Sequence, residues 1–186
     1  MSDMYGLDVY LTQALNSFAG KQGLLDILMA GVSAWGVPTL VLAVAAQWWW
    51  KPDRLRHRHV LVATGLSFML GLALNQLILL FVHRMRPYDA GITHLIVARS
   101  FDPSFPSDHA TATTAIAAAF LIKGVRRLGI LFSAVAVLVM MSRIYIGTHY
   151  VSDVLGGTAT GILAAVIVNF SYRERTRIDR FLTSLM

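Results

Sequence analysis

The sequence predicts an all-α integral membrane protein: a bundle of five transmembrane helices preceded by an interfacial amphipathic helix, in one domain spanning residues 1–186. Composition is the first reason. The chain is 56% hydrophobic and only 14% charged, with mean hydropathy +0.60, which is too apolar for an ordinary soluble domain. The second is segmentation, because the apolar residues gather in stretches close to the ~20 residues needed to cross a hydrocarbon layer. The third is an unequal distribution of Lys and Arg between the two sets of connections. No low-complexity segment, linker or internal repeat divides the chain.

Residues 4–20 read as the amphipathic helix. Leu7, Leu11, Ala14, Leu15 and Phe18 recur at helical spacing, with Asp8, Thr12, Gln13 and Asn16 between them. The stretch is too polar to span and is placed in the membrane interface. The spans follow at 23–47, 60–82, 108–124, 128–147 and 151–171. The third is short and rich in Ala and Thr (ATATTAIAAAF), which suits a tightly packed interior helix. The opening MSDMYGLD is acidic and lacks the basic start of a signal peptide, so no cleavage is expected. The absence of Cys excludes disulfides, thiolate metal sites and Cys nucleophiles.

Five alternating spans place 11 of the 16 Lys and Arg on the side of the 48–59 loop: Lys51, Arg54, Arg56, Arg58, Lys123, Arg126, Arg127, Arg173, Arg175, Arg177 and Arg180. Lys21, Arg84, Arg86, Arg99 and Arg143 fall on the other side. The positive-inside rule makes the first side cytoplasmic, with the C-terminus on it. The net charge of +6 is thereby explained by topology and calls for no nucleic acid. Trp48, Trp49 and Trp50 fit an aromatic belt at the cytoplasmic interface.

The same topology brings four chemically loaded span ends to the outer side. In His149-Tyr-Val-Ser-Asp153, i,i+4 spacing at a helix start puts imidazole and carboxylate on one face. A carboxylate on one ring nitrogen fixes the tautomer and makes the other more nucleophilic. The bland alternative is a polar pair facing headgroups. Arg143, six residues earlier, favours a phosphate site, since its planar fork suits an oxyanion. In Phe105-Pro-Ser-Asp-His109, Ser107 is a natural N-cap; either the following N–H groups form an anion site with His109 placed to protonate a leaving oxygen, or the motif is a simple cap with an interfacial His, the more common role for such a motif alone. Asp108 suits the helix dipole but repels a bound phosphate. In His83-Arg-Met-Arg-Pro-Tyr-Asp89, Pro87 ends the helix with Arg86 at its mouth, either on substrate or snorkelling.

Other polar residues carry structural readings. Asn75 and Gln76 inside the second span are expected to hydrogen-bond between helices, Asp26 to cap the first span, and His57 and His59 to lie on a solvated basic face. Met140 and Met141 are read as packing residues. Two His and Asp153 would suffice for zinc or iron, but the neighbouring Arg side chains disfavour a bound dication, so no metal or cofactor is assigned.

The three pieces together resemble the signature of the type 2 phosphatidic acid phosphatase family, whose fold and site are also similar to those of vanadium-dependent haloperoxidases. That signature is Lys, six residues, Arg-Pro; then Pro-Ser-Gly-His; then Ser-Arg, five residues, His, three residues, Asp. The last part matches fully at Ser142-Arg143, His149 and Asp153; the second matches at Pro106-Ser107-Asp108-His109 with Asp for Gly; the first matches at Arg86-Pro87, with Leu79 at the Lys position. The likeness covers about residues 75–160.

The resemblance implies a metal-free covalent mechanism. His149 attacks phosphorus, Asp153 orients and activates it, and His109 protonates the leaving oxygen. Arg86, Arg143, Ser107 and helix N–H groups stabilise the transition state, in keeping with phosphoryl transfer by positioning and electrostatics. Asp108, the missing Lys and Asn75 are all similar to the bacitracin-resistance type of undecaprenyl-diphosphate phosphatase. That likeness implies a polyprenyl diphosphate substrate at the outer face of a bacterial inner membrane. Another lipid phosphate, such as phosphatidylglycerophosphate or phosphatidate, is the first alternative. A non-catalytic lipid-binding or transport protein is the second, and the intact His109, His149 and Asp153 count against it.

Overall fold

A computed structural model describes residues 2–49 and 54–184. Within them lie α1 (Ser2–Asn16), α2 (Gly23–Ala45) with a 3-10 turn over Ala46–Trp49, α3 (Arg54–Leu79), α4 (Asp108–Ile122), α5 (Arg126–Tyr145), α6 (Val151–Ser171) and α7 (Arg177–Ser184). Trp50 of the expected aromatic belt and Lys51 lie outside the described residues.

Four helical stretches among the described residues are long and apolar enough to cross a membrane: Gly23–Trp49, Leu55–Leu79, Arg126–Tyr145 and Val151–Ser171. They match four of the five expected spans. The remaining one, α4, has 15 residues, short of the ~20 that bridge the hydrocarbon layer unaided. Its burial explains its composition. Ten of its residues, Ala110 to Phe120 with Ala118 omitted, are buried, and it packs against α3, α5 and α6. A helix enclosed by neighbours need not present an apolar surface to lipid, and small side chains let those neighbours approach closely.

The α4–α6 seam shows how close. Gly157 and Gly161 sit one turn apart on α6, where an added Cβ would lie 2.4 Å from the Ser107 carbonyl oxygen and 2.6 Å from that of Thr111. Thr111 Oγ1 bridges the seam, donating to the carbonyl of Ser107 or Gly157 at 3.1 and 3.0 Å. Towards the other end Leu40, Val60, Leu61, Ile116, Phe120 and Phe132 form the largest apolar cluster, with Phe120 and Phe132 edge to face at 4.9 Å. The outermost helix, α2, leaves Leu24, Ile27, Leu28, Trp35 and Leu42 uncovered by protein.

The N-terminal helix turns its polar face, not its apolar stripe, to the protein. In α1, Leu7 and Leu11 are exposed, as is Phe18 in the turn after it, while Thr12 and Asn16 are buried. Only Leu15 of the apolar stripe packs inward, beside Ala110, Ile144 and Val154. The reason is hydrogen bonding: Asp8, Thr12 and Asn16, one face at i, i+4 and i+8, satisfy backbone groups of the connections below. Thr12 Oγ1 accepts from Val151 N at 3.1 Å. The Asn16 amide donates to the Tyr145 carbonyl at 2.7 Å and accepts from His94 N at 2.7 Å.

Three smaller expectations need correction. Asp26 does not cap α2; it accepts from Tyr145 Oη at 2.7 Å and Gly20 N at 3.1 Å, tying the α1–α2 turn to α5. His59 is not solvated but 1% exposed and bonded to Asp179. Of the two intramembrane amides, Asn75 bonds across helices, whereas Gln76 is exposed.

Candidate active site

The C-terminal ends of α3 and α5 and the N-terminal ends of α4 and α6 meet at one end of the bundle, roofed by α1 and the long connection 80–107. All seven residues singled out from the sequence gather there: Arg86, Ser107, Asp108, His109, Arg143, His149 and Asp153.

His149 lies in the loop between α5 and α6, two residues before α6 begins, rather than on the helix face expected. It is 3% exposed. Its Nδ1 is 2.8 Å from the Ser104 carbonyl oxygen. A carbonyl only accepts, so Nδ1 carries the proton and Nε2 holds a free lone pair. Asp153 Oδ2 stands 3.6 Å from Nδ1, beyond a hydrogen bond but close enough for charge stabilisation. Burial pushes the imidazole below its ordinary pKa; Asp153 opposes this, while the Arg143 and Arg86 charges reinforce it.

Asp153 is fully buried and every contact on it is specific. Oδ1 accepts from Arg84 Nη1 at 2.6 Å. Oδ2 accepts from Ser104 Oγ at 2.5 Å and from the N-cap Tyr150 N at 2.8 Å. Ser104 therefore serves both partners, giving its carbonyl to His149 and its hydroxyl to Asp153. Ser104 is absent from the sequence reading, and its only signal was its place in an unusually long connection.

Arg86 is 4% exposed. It lies beyond the last turn of α3, in the connection, and not at the helix mouth. Its Nε donates to the Asp102 carbonyl and its Nη2 to the Asp102 carboxylate, both at 2.9 Å. Nη1 donates to the Thr148 carbonyl at 2.9 Å and sits 3.4 Å from His149 Nε2. Asp102 also accepts from the Ser100 hydroxyl. Burial works to raise its carboxyl pKa, but the Ser100 bond and the Arg86 charge hold it below the ordinary range.

Arg143 reaches from the last turn of α5 to Ser33 of α2, Nη1 to Oγ at 2.5 Å. Its Nε is buried without a partner among the described residues, as is Ser107 Oγ. Ser107 occupies the N-cap position of α4 as expected, yet its side chain makes no capping bond; its N–H donates to the Asp153 carbonyl at 3.1 Å. Arg143 Nε and Ser107 Oγ are two buried groups whose hydrogen bonding an oxyanion would complete. His109, in the first turn of α4, interacts electrostatically with Arg143, His149 and Arg86. Asp108 is held by Asn75 Nδ2 at 2.7 Å, so the departure from Gly and the intramembrane Asn form one pair.

Arg84 is engaged by carboxylates. Its Nη2 donates to Asp8 at 2.7 Å, its Nη1 to Asp153 and Ser152 at 2.6 Å, and its plane lies 3.7 Å above the Tyr150 ring. Burial would lower its pKa, but the two carboxylates outweigh that and raise it. Arg84, Arg86, Arg99 and His83 line one cleft of ≈ 380 Å³, in which Arg99 also pairs with Asp89 at 3.4 Å. Among the described residues no group of three or more His, Asp or Glu is gathered for a metal ion.

Comparison with known proteins identifies the family. A profile of the PAP2 superfamily matches residues 59–177. The undecaprenyl-diphosphatase BcrC of Bacillus subtilis is 32% identical over 160 residues, covering 86% of this chain and 79% of its own. The phosphatidylglycerophosphatase B of the same organism is 37% identical over 105 residues, 51% of this chain and 49% of its own. The crystal structure of a transmembrane PAP2-type phosphatidylglycerolphosphate phosphatase from Bacillus subtilis superimposes with TM-score 0.72 at 24% identity, over 95% of this chain and 90% of that one. Aquifex aeolicus LpxE gives TM-score 0.66 at 20% identity, over 88% and 95%. On the profile match, the BcrC likeness and the shared fold, the chain belongs to the PAP2 superfamily.

Proposed function

We propose that this protein hydrolyses undecaprenyl diphosphate to undecaprenyl phosphate and phosphate without a metal. A lipid phosphatase is what the family and its undecaprenyl-diphosphatase relatives support; the substrate and the residue roles are our reading. One observation carries it: the Ser104 carbonyl holds the proton of His149 on Nδ1, leaving the Nε2 lone pair facing Arg86.

In this mechanism Nε2 attacks the terminal phosphorus, and the bond from phosphorus to the bridging oxygen breaks. His109 gives its proton to that oxygen as the lipid monophosphate leaves. Water then attacks the phosphohistidine, with His109 taking up the proton, and releases phosphate. Arg86, Arg143, Ser107 and the α4 N-terminus stabilise the equatorial oxygens. Asp153 stabilises the imidazolium that forms in the first step. Asp102 leaves Arg86 Nη2 as substrate enters, and Arg99 supplies positive charge and His83 a hydrogen-bond donor to the second phosphate in place of Lys.

The placement is part of the proposal. α4 is the fifth membrane-crossing helix, enclosed by the other four, and α1 lies in the outer interface with Leu7, Leu11 and Phe18 toward lipid. The site opens to the periplasm or cell exterior of a bacterial inner membrane, with α7 in the cytoplasm. The test is phosphate release by purified protein in chelator, with undecaprenyl diphosphate and phosphatidylglycerophosphate supplied separately. Faster release from the diphosphate is expected. Preference for phosphatidylglycerophosphate, in line with the second relative, would keep the mechanism and replace the substrate.

A further inference from the structure

At the end of the bundle away from His149, a second polar cluster is built as carefully as the first. His59 of α3 is 1% exposed, and its Nδ1 lies 2.8 Å from Asp179 of α7. Its Nε2 lies 3.0 Å from Lys123 Nζ. An ammonium only donates, so Nε2 accepts and the ring proton sits on Nδ1, donated to Asp179. Tyr172 stacks on the imidazole at 4.7 Å between centroids and donates its hydroxyl to Asp179 at 2.6 Å. Arg175 N also donates to Asp179, at 2.7 Å. Burial works to raise the Asp179 pKa, but these donors hold it below the ordinary carboxylate range. The C-terminal helix α7, eight residues long, is thereby fixed to the bundle.

This docking creates a cleft of ≈ 640 Å³ between the first turn of α3 and α7, larger than the one beside Arg86. Arg56, Arg175 and Arg180 line it, and their guanidinium groups form no ion pair with a described residue. The two acidic residues that line it are Glu174 and Asp179, and Asp179 is committed to His59, Tyr172 and Arg175. Leu55, 65% exposed, gives the cleft an apolar edge, and Ile178 and Phe181 are exposed on α7. Three free cationic forks beside an apolar rim are the recognition chemistry of a phosphate carried by a membrane lipid.

We infer that the cleft between α3 and α7 is a second anion site, which binds the phosphate of an anionic phospholipid in the leaflet opposite the catalytic one. Arg56, Arg175 and Arg180 supply the bidentate donors, Leu55 borders the upper acyl chain, and the Lys123–His59–Asp179 chain holds α7 against the bundle. Placement in the cytoplasmic leaflet rests on the positive-inside distribution of charge; the site itself is independent of the phosphatase chemistry.

The test reads binding rather than turnover, so its failure leaves the phosphatase reading untouched. The full chain is reconstituted in nanodiscs of phosphatidylcholine, with or without 10% phosphatidylglycerol. Bound lipid is counted by native mass spectrometry, and hydrogen exchange is followed in residues 173–184. Phosphatidylglycerol should be retained at one lipid per chain and slow exchange in α7. Arg56→Gln/Arg175→Gln/Arg180→Gln should lose that lipid about tenfold, with the Lys triple variant intermediate because it keeps charge without the forks. Unchanged phosphate release certifies that each variant is folded. Protection by inorganic phosphate alone in phosphatidylcholine discs would identify a soluble anion as the ligand of the same site and overturn the lipid assignment. Equal retention by parent and Gln variant, or equal protection by both lipid mixtures, would overturn the site.

Discussion

Asp8 and Asp153 are held on opposite edges of one guanidinium: Arg84 Nη2 donates to Asp8 at 2.7 Å and Nη1 to Asp153 at 2.6 Å. Asp8 also accepts from Ser152 N at 2.9 Å and Ser152 Oγ at 2.5 Å, so the N-terminal helix is bolted to the first turn of α6. The carboxylate beside His149 is thus oriented by a residue far away in sequence.

Asp8→Asn should lower kcat while leaving KM nearly unchanged, because it loosens Arg84 without touching substrate. A charge-assisted hydrogen bond in a part-buried setting is worth about 1–2 kcal/mol, which corresponds to roughly a tenfold loss. Steady-state kinetics with Asp8→Glu as the conservative control check this. A rise in KM with kcat preserved would make α1 a substrate-binding element instead.

Asp153→Asn should be far more damaging, lowering kcat by about two to three orders of magnitude with KM within a few fold. The amide keeps the size but removes the charge that stabilises the imidazolium, and it offers Ser104 and Tyr150 a poorer acceptor. Unchanged turnover would refute the activating role.

The pH profile should reflect a nucleophile held neutral. The shift of His149 is downward, so its protonated form, which cannot attack, accumulates only below the ordinary value of about 6.5. The acidic limb of kcat/KM assigned to His149 should therefore lie below that value. In Asp153→Asn the limb should move further down, since the carboxylate is the group opposing the shift. A limb above about 7 in the parent would contradict the neutral state.

Gly157→Ala should reduce thermal stability and activity together. Its Cβ would fall 2.4 Å from the Ser107 carbonyl oxygen, a backbone atom at the start of α4 that cannot swing aside. Overpacking of this kind costs about 1–3 kcal/mol, read as a lower Tm of the purified protein. Gly31→Ala, with nothing within 4 Å, is the control.

Much of this was legible from local pattern. Long apolar stretches located α2, α3, α5 and α6, because a bilayer imposes a length that shows directly in composition. The residues of the three motifs were identifiable because alternating spans force their ends to one side. What escaped depends on contacts between distant segments. Asp8, Thr12 and Asn16 were legible only as the polar positions of α1, since periodicity separates two faces without saying which one meets the protein. Ser104 and Asp102 lie in an irregular connection whose path no periodicity encodes. The helix α7 and the burial of His59 escaped for the same reason: a basic segment near a membrane face is ordinarily solvated, and only Asp179 arriving from the C-terminus reverses that.

The most direct measurement is rapid quenching of the enzyme with undecaprenyl diphosphate labelled in its terminal phosphate, followed by peptide mapping. The mechanism predicts an acid-labile, alkali-stable label on the peptide containing His149, formed and lost at rates compatible with kcat and absent in His149→Ala. Full turnover with no protein-bound label, or label on a residue other than His149, would contradict it.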